Sequence, residues 1–406
     1  MVILLLDDRS LPPVITTSQH NSFPQQTILK RHPRIINQVI HDNDYTLEIR
    51  KRLFNLKEEI VNNAKIQSLT EDIGDQHQWN HHLDQFKNKT WLELPWYFAE
   101  TFFYRRLLEV IDYFQPGRFR KRDPFHLSKR VEITRNMNTL TQTIDSLGKI
   151  EDVIRGFEQR LHASLWGNRL DLSNFTVKNT IKHHQATIER ENIIINDFSK
   201  IYHTFNNETV SNIAFFHDNV GMELEFDLLL ADFLLEKKWV ETIVFYLKPY
   251  PFFVSDAMIK DLQETLHIFK SVPYSNVNDL GKRIHRALNN GTIFLSTDLF
   301  WASPYHYSEM SQSLSEELSQ YDLIILKGDV DYRRLLSDRH WPYTKSITDI
   351  IGYFPTSLVI LQTLKSPIIV NLTKKQVQQF EHEEPDWLIN GQRGIIQYIK
   401  KNKKRE

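Results

Sequence analysis

Ile213-Ala214-Phe215-Phe216-His217-Asp218-Asn219-Val220-Gly221-Met222-Glu223 is the stretch that decides the fold. A short apolar run ends in Asp-Asn. A glycine follows, then the strongly apolar segment Leu224 to Leu235, which carries Asp227 and Asp232. This order reads as strand, tight turn and helix. In a parallel sheet such a turn sets Asp218 and Asn219 where the sheet opens into its crevice. Carboxylate and amide oxygens suit Mg²⁺ or Mn²⁺ rather than a soft metal. Asp-Asn after a strand is by itself more often a turn or a helix cap, so the rest of the chain has to decide.

Outward from this stretch the alternation continues. Strand candidates are Ile213–His217, Thr242–Leu247, Thr292–Ser296, Leu323–Leu326, Leu358–Gln362 and Gly394–Tyr398. Helical candidates lie between several of them, at Glu223–Glu236, Asp256–Phe269, Asn278–Leu288 and Ser308–Ser319. Strands alternating with helices predict βαβ units and a mostly parallel sheet. Residues 30–205 differ. They lack strand signals and carry charged helical periodicity over Leu47–Ile66, Trp96–Tyr113, Val131–Leu161 and Val177–Phe205, with breaks at Pro116-Gly117 and Asp123-Pro124. The expectation is an α/β fold in two parts. Residues 1–205 read as an all-helical N-terminal part, and residues 206–406 as an α/β part around the mostly parallel sheet. The boundary falls at Asn206-Asn207-Glu208-Thr209.

Composition narrows the function classes. The chain has 406 residues, 41% hydrophobic and 25% charged, with a net charge of -1. No global field favours nucleic acid or acidic lipid. The basic run Lys400, Lys401, Lys403, Lys404 and Arg405 reads as a solvated tail. There are 0 cysteines, which excludes disulfides, thiolate metal sites and a cysteine nucleophile and fits a reducing compartment. Met1 to Leu6 is apolar but runs into Asp7-Asp8 and is too short for a secretory or spanning segment. A cytoplasmic protein with no membrane or nucleic-acid partner is expected. Oligomeric state stays open.

Polar residues gather just past the expected strands. Asp218 and Asn219 follow the first, and Lys248 and Asp256 the second, across Pro249-Tyr250-Pro251-Phe252-Phe253. Asp298 follows the third, Lys327-Gly328-Asp329 with Asp331-Tyr332-Arg333-Arg334 the fourth, and Lys365 the fifth. This mixture suits a divalent cation held by Asp218, Asn219 and Asp256, with Lys327, Arg333 and Lys365 facing an anion. Phosphate is the natural anion, because metal and cations together neutralise the charge that builds on its oxygens during transfer.

These residues carry a resemblance. The chain is similar to the damage-control phosphatases, a metal-dependent family formerly classed as a domain of unknown function, and within it to the acidic-residue (protein-glutamate) methyltransferase-like branch. The matching pieces run in order: Leu11-Pro12-Pro13, Ser22-Phe23, Trp96-Tyr97-Phe98-Ala99-Glu100-Thr101 with Tyr104-Arg105-Arg106, and Trp166-Gly167-Asn168 with Asp171-Leu172-Ser173. They continue with Asp218-Asn219-Val220-Gly221-Met222-Glu223, Lys248 to Asp256, Phe300-Trp301, Pro304, Lys327-Gly328-Asp329, Tyr332-Arg333 and Gly394-Ile395-Ile396-Gln397-Tyr398. The resemblance implies a helical N-terminal domain, residues 1–205, on an α/β/α sandwich, residues 206–406, that holds the metal-binding and catalytic chemistry; it implies Mn²⁺, Co²⁺, Ni²⁺ or Mg²⁺ and hydrolysis of small phosphorylated metabolites such as hexose phosphates. By position it makes Asp218, Asn219 and Asp256 the metal ligands. It makes Asp218, Asn219 and Lys365 the catalytic set. Glu223, Lys327, Asp329, Asp331, Tyr332, Arg333 and Lys365 are the substrate-binding residues it implies.

Two positions depart from the family pattern: Asp331 stands where it has Asn, and Gln362 where it has Arg. If both face the crevice, a phosphate meets two fewer units of favourable charge. That motivates one alternative, a non-catalytic metal- or phosphate-binding homologue. Another is an S-adenosylmethionine-dependent protein-glutamate carboxyl methyltransferase, but such enzymes need a Gly-rich turn after the first strand, and this turn has one glycine. Other tempting residues have plain readings. His81-His82 and His183-His184 point in different directions on a helix and read as packing or surface residues. Glu100, Arg105 and Arg106 read either as a buried or interdomain ion pair or as supplying a substrate-facing arginine. Asp227 lies one turn from Glu223 and reads as its support, Asp232 as a solvated or capping charge, and Trp166-Gly167-Asn168 with Asp171 as a turn.

Overall fold

The computed structural model describes residues 11–71, 73–167 and 192–401. The Asn168, Asp171–Ser173 and His183-His184 readings, the first part of the Val177–Phe205 helix, Met1–Leu6, and Lys403 to Arg405 lie outside the described residues.

Seven strands form one sheet: β1 Ile193–Asn196, β2 Asn212–Phe216, β3 Thr242–Tyr246, β4 Ile293–Ser296, β5 Leu323–Lys327, β6 Ser357–Thr363 and β7 Gly394–Ile399. Their order is β1-β7-β6-β5-β2-β3-β4. Strands β2 to β6 run parallel, β7 is antiparallel to β6, and β1 is parallel to β7. All six expected strands are present. The seventh, β1, falls inside a segment expected to be helical. Its run Ile193-Ile194-Ile195 is β-branched throughout, stiff at χ1 and well suited to a pleated surface.

Side-chain alternation sorts the sheet into two faces. Ile213 and Phe215 of β2 enter one apolar cluster, with helices Met137–Gly148, Val153–Trp166, Met222–Glu236, Ile259–Ser271 and Ser275–Asn289. Ala214 and Phe216 enter the other, with helices Gln312–Ser319, Asp329–Leu335 and Lys374–Glu383. The result is the expected α/β/α sandwich. A third cluster holds helices His32–Asp42, Leu47–Val61, Gln76–Gln85 and Trp96–Val110, and Phe252 and Phe253 pack into it.

Met137–Gly148 and Val153–Trp166, and most of helix Phe198–Asn207, lie within the first 205 residues and yet belong to a layer of the sandwich. The expected single helix Val131–Leu161 is three, broken at Asn136 and across Lys149–Asp152, where Asp152 caps the next helix through the Arg155 N–H at 2.9 Å. Among the described residues no helix is long and apolar enough to cross a membrane.

The order places β2 between β3 and β5, and the chain winds away from β2 in opposite directions on its two sides. That junction is the topological switch point, where an open parallel sheet leaves a crevice beyond its carboxyl ends. Asp218 lies just past β2 and Gly328 just past β5.

Candidate metal and anion site

A cavity of about 200 Å³ opens at the switch point, with Asp218, Asn219, Glu223, Asp256, Gly328, Asp329, Arg333 and Lys365 among its lining residues. Backbone pairing brings the two acidic loops together. Val220 N–H donates to Ser255 C=O at 2.8 Å and Ala257 N–H to Asp218 C=O at 2.7 Å, which sets Asn219 opposite Asp256. The intervening loop is tightly held. Phe253 sits at φ +47, a left-handed conformation that costs free energy in a bulky residue, and it too lines the cavity.

Two glycines let the elements close in. At Gly328, φ is +86, and an added Cβ would lie 2.1 Å from Asp218 Oδ2. At Gly167, a Cβ would lie 2.6 Å from Glu223 Cα, so the end of the Val153–Trp166 helix rests directly on the turn that carries Glu223. Trp166 ends the helix, and the close approach explains the glycine that follows it.

The acidic cluster is under electrostatic strain. Asn219 Nδ2 donates to Asp218 Oδ2 at 2.7 Å and to Glu223 Oε2 at 3.0 Å, while Asn219 Oδ1 accepts from Ser255 Oγ at 2.5 Å. Burial, then the neighbouring Glu223 and Asp256, push the Asp218 carboxyl well above the usual range. Burial also pushes Asp256 up to about 7, against the pull of Lys248 at 3.7 Å. Asp256 Oδ2 is buried and, beyond the Lys248 ion pair, has no hydrogen-bond partner among the described residues. Among the described residues no three His, Cys, Asp or Glu side chains are grouped as a metal cage. The donor set here is instead two carboxylates and an amide oxygen. It fits a hard divalent cation, because buried carboxylates of like charge with an orphaned oxygen call for positive charge between them.

The remaining expected site residues divide. Glu223, Asp329, Arg333 and Lys365 line the cavity. Lys365 is exposed at the rim, and burial raises Asp329, which accepts from Ser366 Oγ at 2.7 Å. Arg333 is pinned: it donates to Glu100 at 2.5 Å and Asp338 at 2.8 Å and stacks on Trp96 at 3.4 Å. Glu100 also lines the cavity, whereas Arg105 and Arg106 pair with Asp75 and Glu109 away from it.

Lys327, Asp331 and Tyr332 are buried and are not among the lining residues. Lys327 donates to Asp227 at 2.8 Å and lies 3.4 Å from Glu223, so Asp227 supports Glu223 through it. His217 meets the same Asp227 at 3.1 Å. Asp331 accepts from Tyr307 O–H at 3.0 Å and lies 3.6 Å from Lys248. Gln362 is buried too. Leu361 and Thr363 line the cavity, so the alternation of β6 turns Gln362 to the other face. The two departures therefore do not both face the cavity, although the Asp331 charge still acts on Asp218 and Asp256. Asp232 forms a paired fork with Arg283 at 2.8 Å, and His82 packs against Phe98.

Phe23 and Arg31, from the first helices, are among the lining residues not expected at the site from the sequence. Phe23 enters the sequence reading only as part of a matching motif. For Arg31 the available signal is the nearby Pro33, which bars a regular α-helix through this part of the chain.

The model of the damage-control phosphatase ARMT1-like domain matches residues 27–380. The chain is 28% identical over 438 residues to damage-control phosphatase ARMT1 of Bos taurus, covering 95% of this chain and 98% of that one. To its Homo sapiens counterpart it is 28% identical over 435 residues, covering 96% and 98%. A solved DUF89 family protein from Pyrococcus horikoshii aligns with a TM-score of 0.47 and 14% identity, over 87% of this chain and 93% of that one. With a family model spanning most of its length, the chain belongs to the ARMT1-like damage-control phosphatase family.

Proposed function

We propose that this protein is a metal-dependent phosphatase that hydrolyses small phosphorylated metabolites, hexose phosphates among them. Family membership supports phosphatase chemistry of a metabolite-repair kind. The observation that carries the metal reading is the buried group Asp218, Asn219 and Asp256, with its raised carboxyls and orphaned oxygen, facing a cavity at the switch point. Mn²⁺, Co²⁺, Ni²⁺ or Mg²⁺ would be held by these three residues. Bound there, it supplies Lewis acidity toward a phosphoryl oxygen and acidifies a water.

The chain's own residues do the rest. Lys365 at the rim presents an unpaired ammonium to the phosphate, and Glu223 and Asp329 offer acceptors to substrate hydroxyls. Lys327 holds Glu223 in place from beneath. A cavity of about 200 Å³ favours a compact ester over a nucleotide-sized one, because drug-sized ligands occupy roughly 300–1,000 Å³. A cytoplasmic setting is part of the proposal and rests on the absence of cysteine.

The test is turnover of p-nitrophenyl phosphate and a sugar-phosphate panel with each metal and with chelator. The expected result is metal-dependent hydrolysis that Asp256→Asn abolishes. Hydrolysis indifferent to chelator, or no hydrolysis with any metal, would overturn the proposal.

A further inference from the structure

The continuous helical run from Phe23 to Asp42 is not α-helical throughout. Thr27–Arg31 forms a π-helical turn, closed by the His32 N–H bonding to Thr27 C=O. Pro33 explains it. Proline has no N–H to give the carbonyl four residues back, that of Leu29, and its ring crowds that carbonyl. The chain takes one wide turn instead, and such turns re-aim side chains and recur at functional sites. Here the last residue of the wide turn is Arg31, which lines the cavity alongside Asp218, Asn219 and Asp256.

Arg31 differs from the buried cations near the site. Lys327 is consumed by Asp227 and the Ser164 hydroxyl, Lys248 lies between Asp256 and Asp331, and Arg333 is held by Glu100 and Asp338. Arg31 makes no side-chain hydrogen bond and no ion pair among the described residues, and it is exposed at the cavity mouth. Glu100, which also lines the cavity, is already paired with Arg333. A guanidinium with its whole donor fork unspent, beside a cavity lined by metal-ligand types, has the shape and charge to grip a phosphate through two parallel N–H donors. Lys365, the other unpaired cation of the lining, comes from the sheet side, past β6.

We propose that Arg31 is a substrate-binding residue that clamps the phosphoryl group of a phosphomonoester from the N-terminal helices, so that these helices set affinity and selectivity for phosphate at the same site. This rests on the phosphatase reading above. It also accounts for the wide turn, since an α-helical register would carry Arg31 to a different bearing.

The experiment measures binding of inorganic phosphate by calorimetry in saturating Mn²⁺, for wild type, Arg31→Gln and Arg31→Lys, together with KM and kcat on p-nitrophenyl phosphate. Thermal unfolding and Mn²⁺ affinity serve as controls. For Arg31→Gln the expected result is phosphate affinity lower by about tenfold or more and a KM raised in proportion, the scale for losing a charged bidentate partner. Arg31→Lys should recover part of the loss, since it keeps the charge but not the fork. Mn²⁺ affinity and unfolding temperature should not move. Arg31→Gln binding phosphate within twofold of wild type overturns this inference and leaves the phosphatase reading standing. A wild type that neither binds phosphate nor hydrolyses the ester overturns both.

Discussion

Gly328→Ala tests the geometry of the site most sharply. The backbone there, at φ +86 and ψ 163, is a conformation almost confined to glycine. Forcing alanine into it costs about 1–3 kcal/mol. The new methyl would also lie 2.1 Å from Asp218 Oδ2 and 2.4 Å from its Cγ. Ordinary carbon–oxygen contacts begin near 3.3 Å, so the Asp218 carboxylate has to retreat by about 1 Å. Metal ligands tolerate about 0.2 Å. Overpacking adds about 1–3 kcal/mol to the backbone cost. The expected outcome is a stability loss of about 2–6 kcal/mol in urea unfolding and a Mn²⁺ affinity lower by about tenfold or more in calorimetry. Unfolding free energy within about 0.5 kcal/mol of wild type, with Mn²⁺ affinity within twofold, would refute the contact between these two strand ends.

Three further outcomes follow from buried charges. Lys129 Nζ donates to the Asp256 backbone carbonyl at 2.8 Å and to Asp261 at 2.8 Å, so Lys129→Met should cost about 3–5 kcal/mol in denaturant unfolding and weaken Mn²⁺ binding through the loosened Asp256 loop; unchanged values of both would rule out that support. Glu225 is fully buried, raised well above the usual range by burial and then by Glu132, and neither of its oxygens has a hydrogen-bond partner among the described residues; Glu225→Leu should stabilise the protein by about 1–3 kcal/mol with turnover preserved, and a loss of stability would contradict this. His32 stacks on Phe103 at 3.9 Å and is held well below its usual range by burial and then by Arg31, so the unfolded chain takes up the proton first. Its penalty is absent above the unfolded value near 6.5 and grows as pH falls below it, by about 1.4 kcal/mol per pH unit; the stability difference between wild type and His32→Phe should change by that slope between pH 6 and 5, and parallel curves would exclude it.

Much of the fold is legible in the sequence because its signals are local. Six strands are short β-branched or aromatic runs bounded by turns, and the metal candidates are polar residues placed where those runs stop. β1 is hidden because a four-residue edge strand flanked by helical residues carries too little periodicity to stand out. The site is only half legible. Whether a lysine or arginine is free depends on partners remote in the chain: Lys327 meets the Ser164 hydroxyl 163 residues away, and Arg333 meets Glu100 233 residues away. Neither pairing leaves a trace in local spacing, so both cations read as free anion contacts. The opposite face taken by Gln362 follows from strand alternation, but only once the register of β6 against the cavity is known.

The central claim is that one divalent cation binds through Asp218, Asn219 and Asp256. Anomalous diffraction from crystals soaked in MnCl₂, with Asp256→Asn crystals treated identically, tests it most directly. One strong peak is expected among the side-chain oxygens of these three residues, lost or sharply reduced in the variant. A peak elsewhere in the molecule, or one at this cavity that persists at full strength in Asp256→Asn, would contradict it.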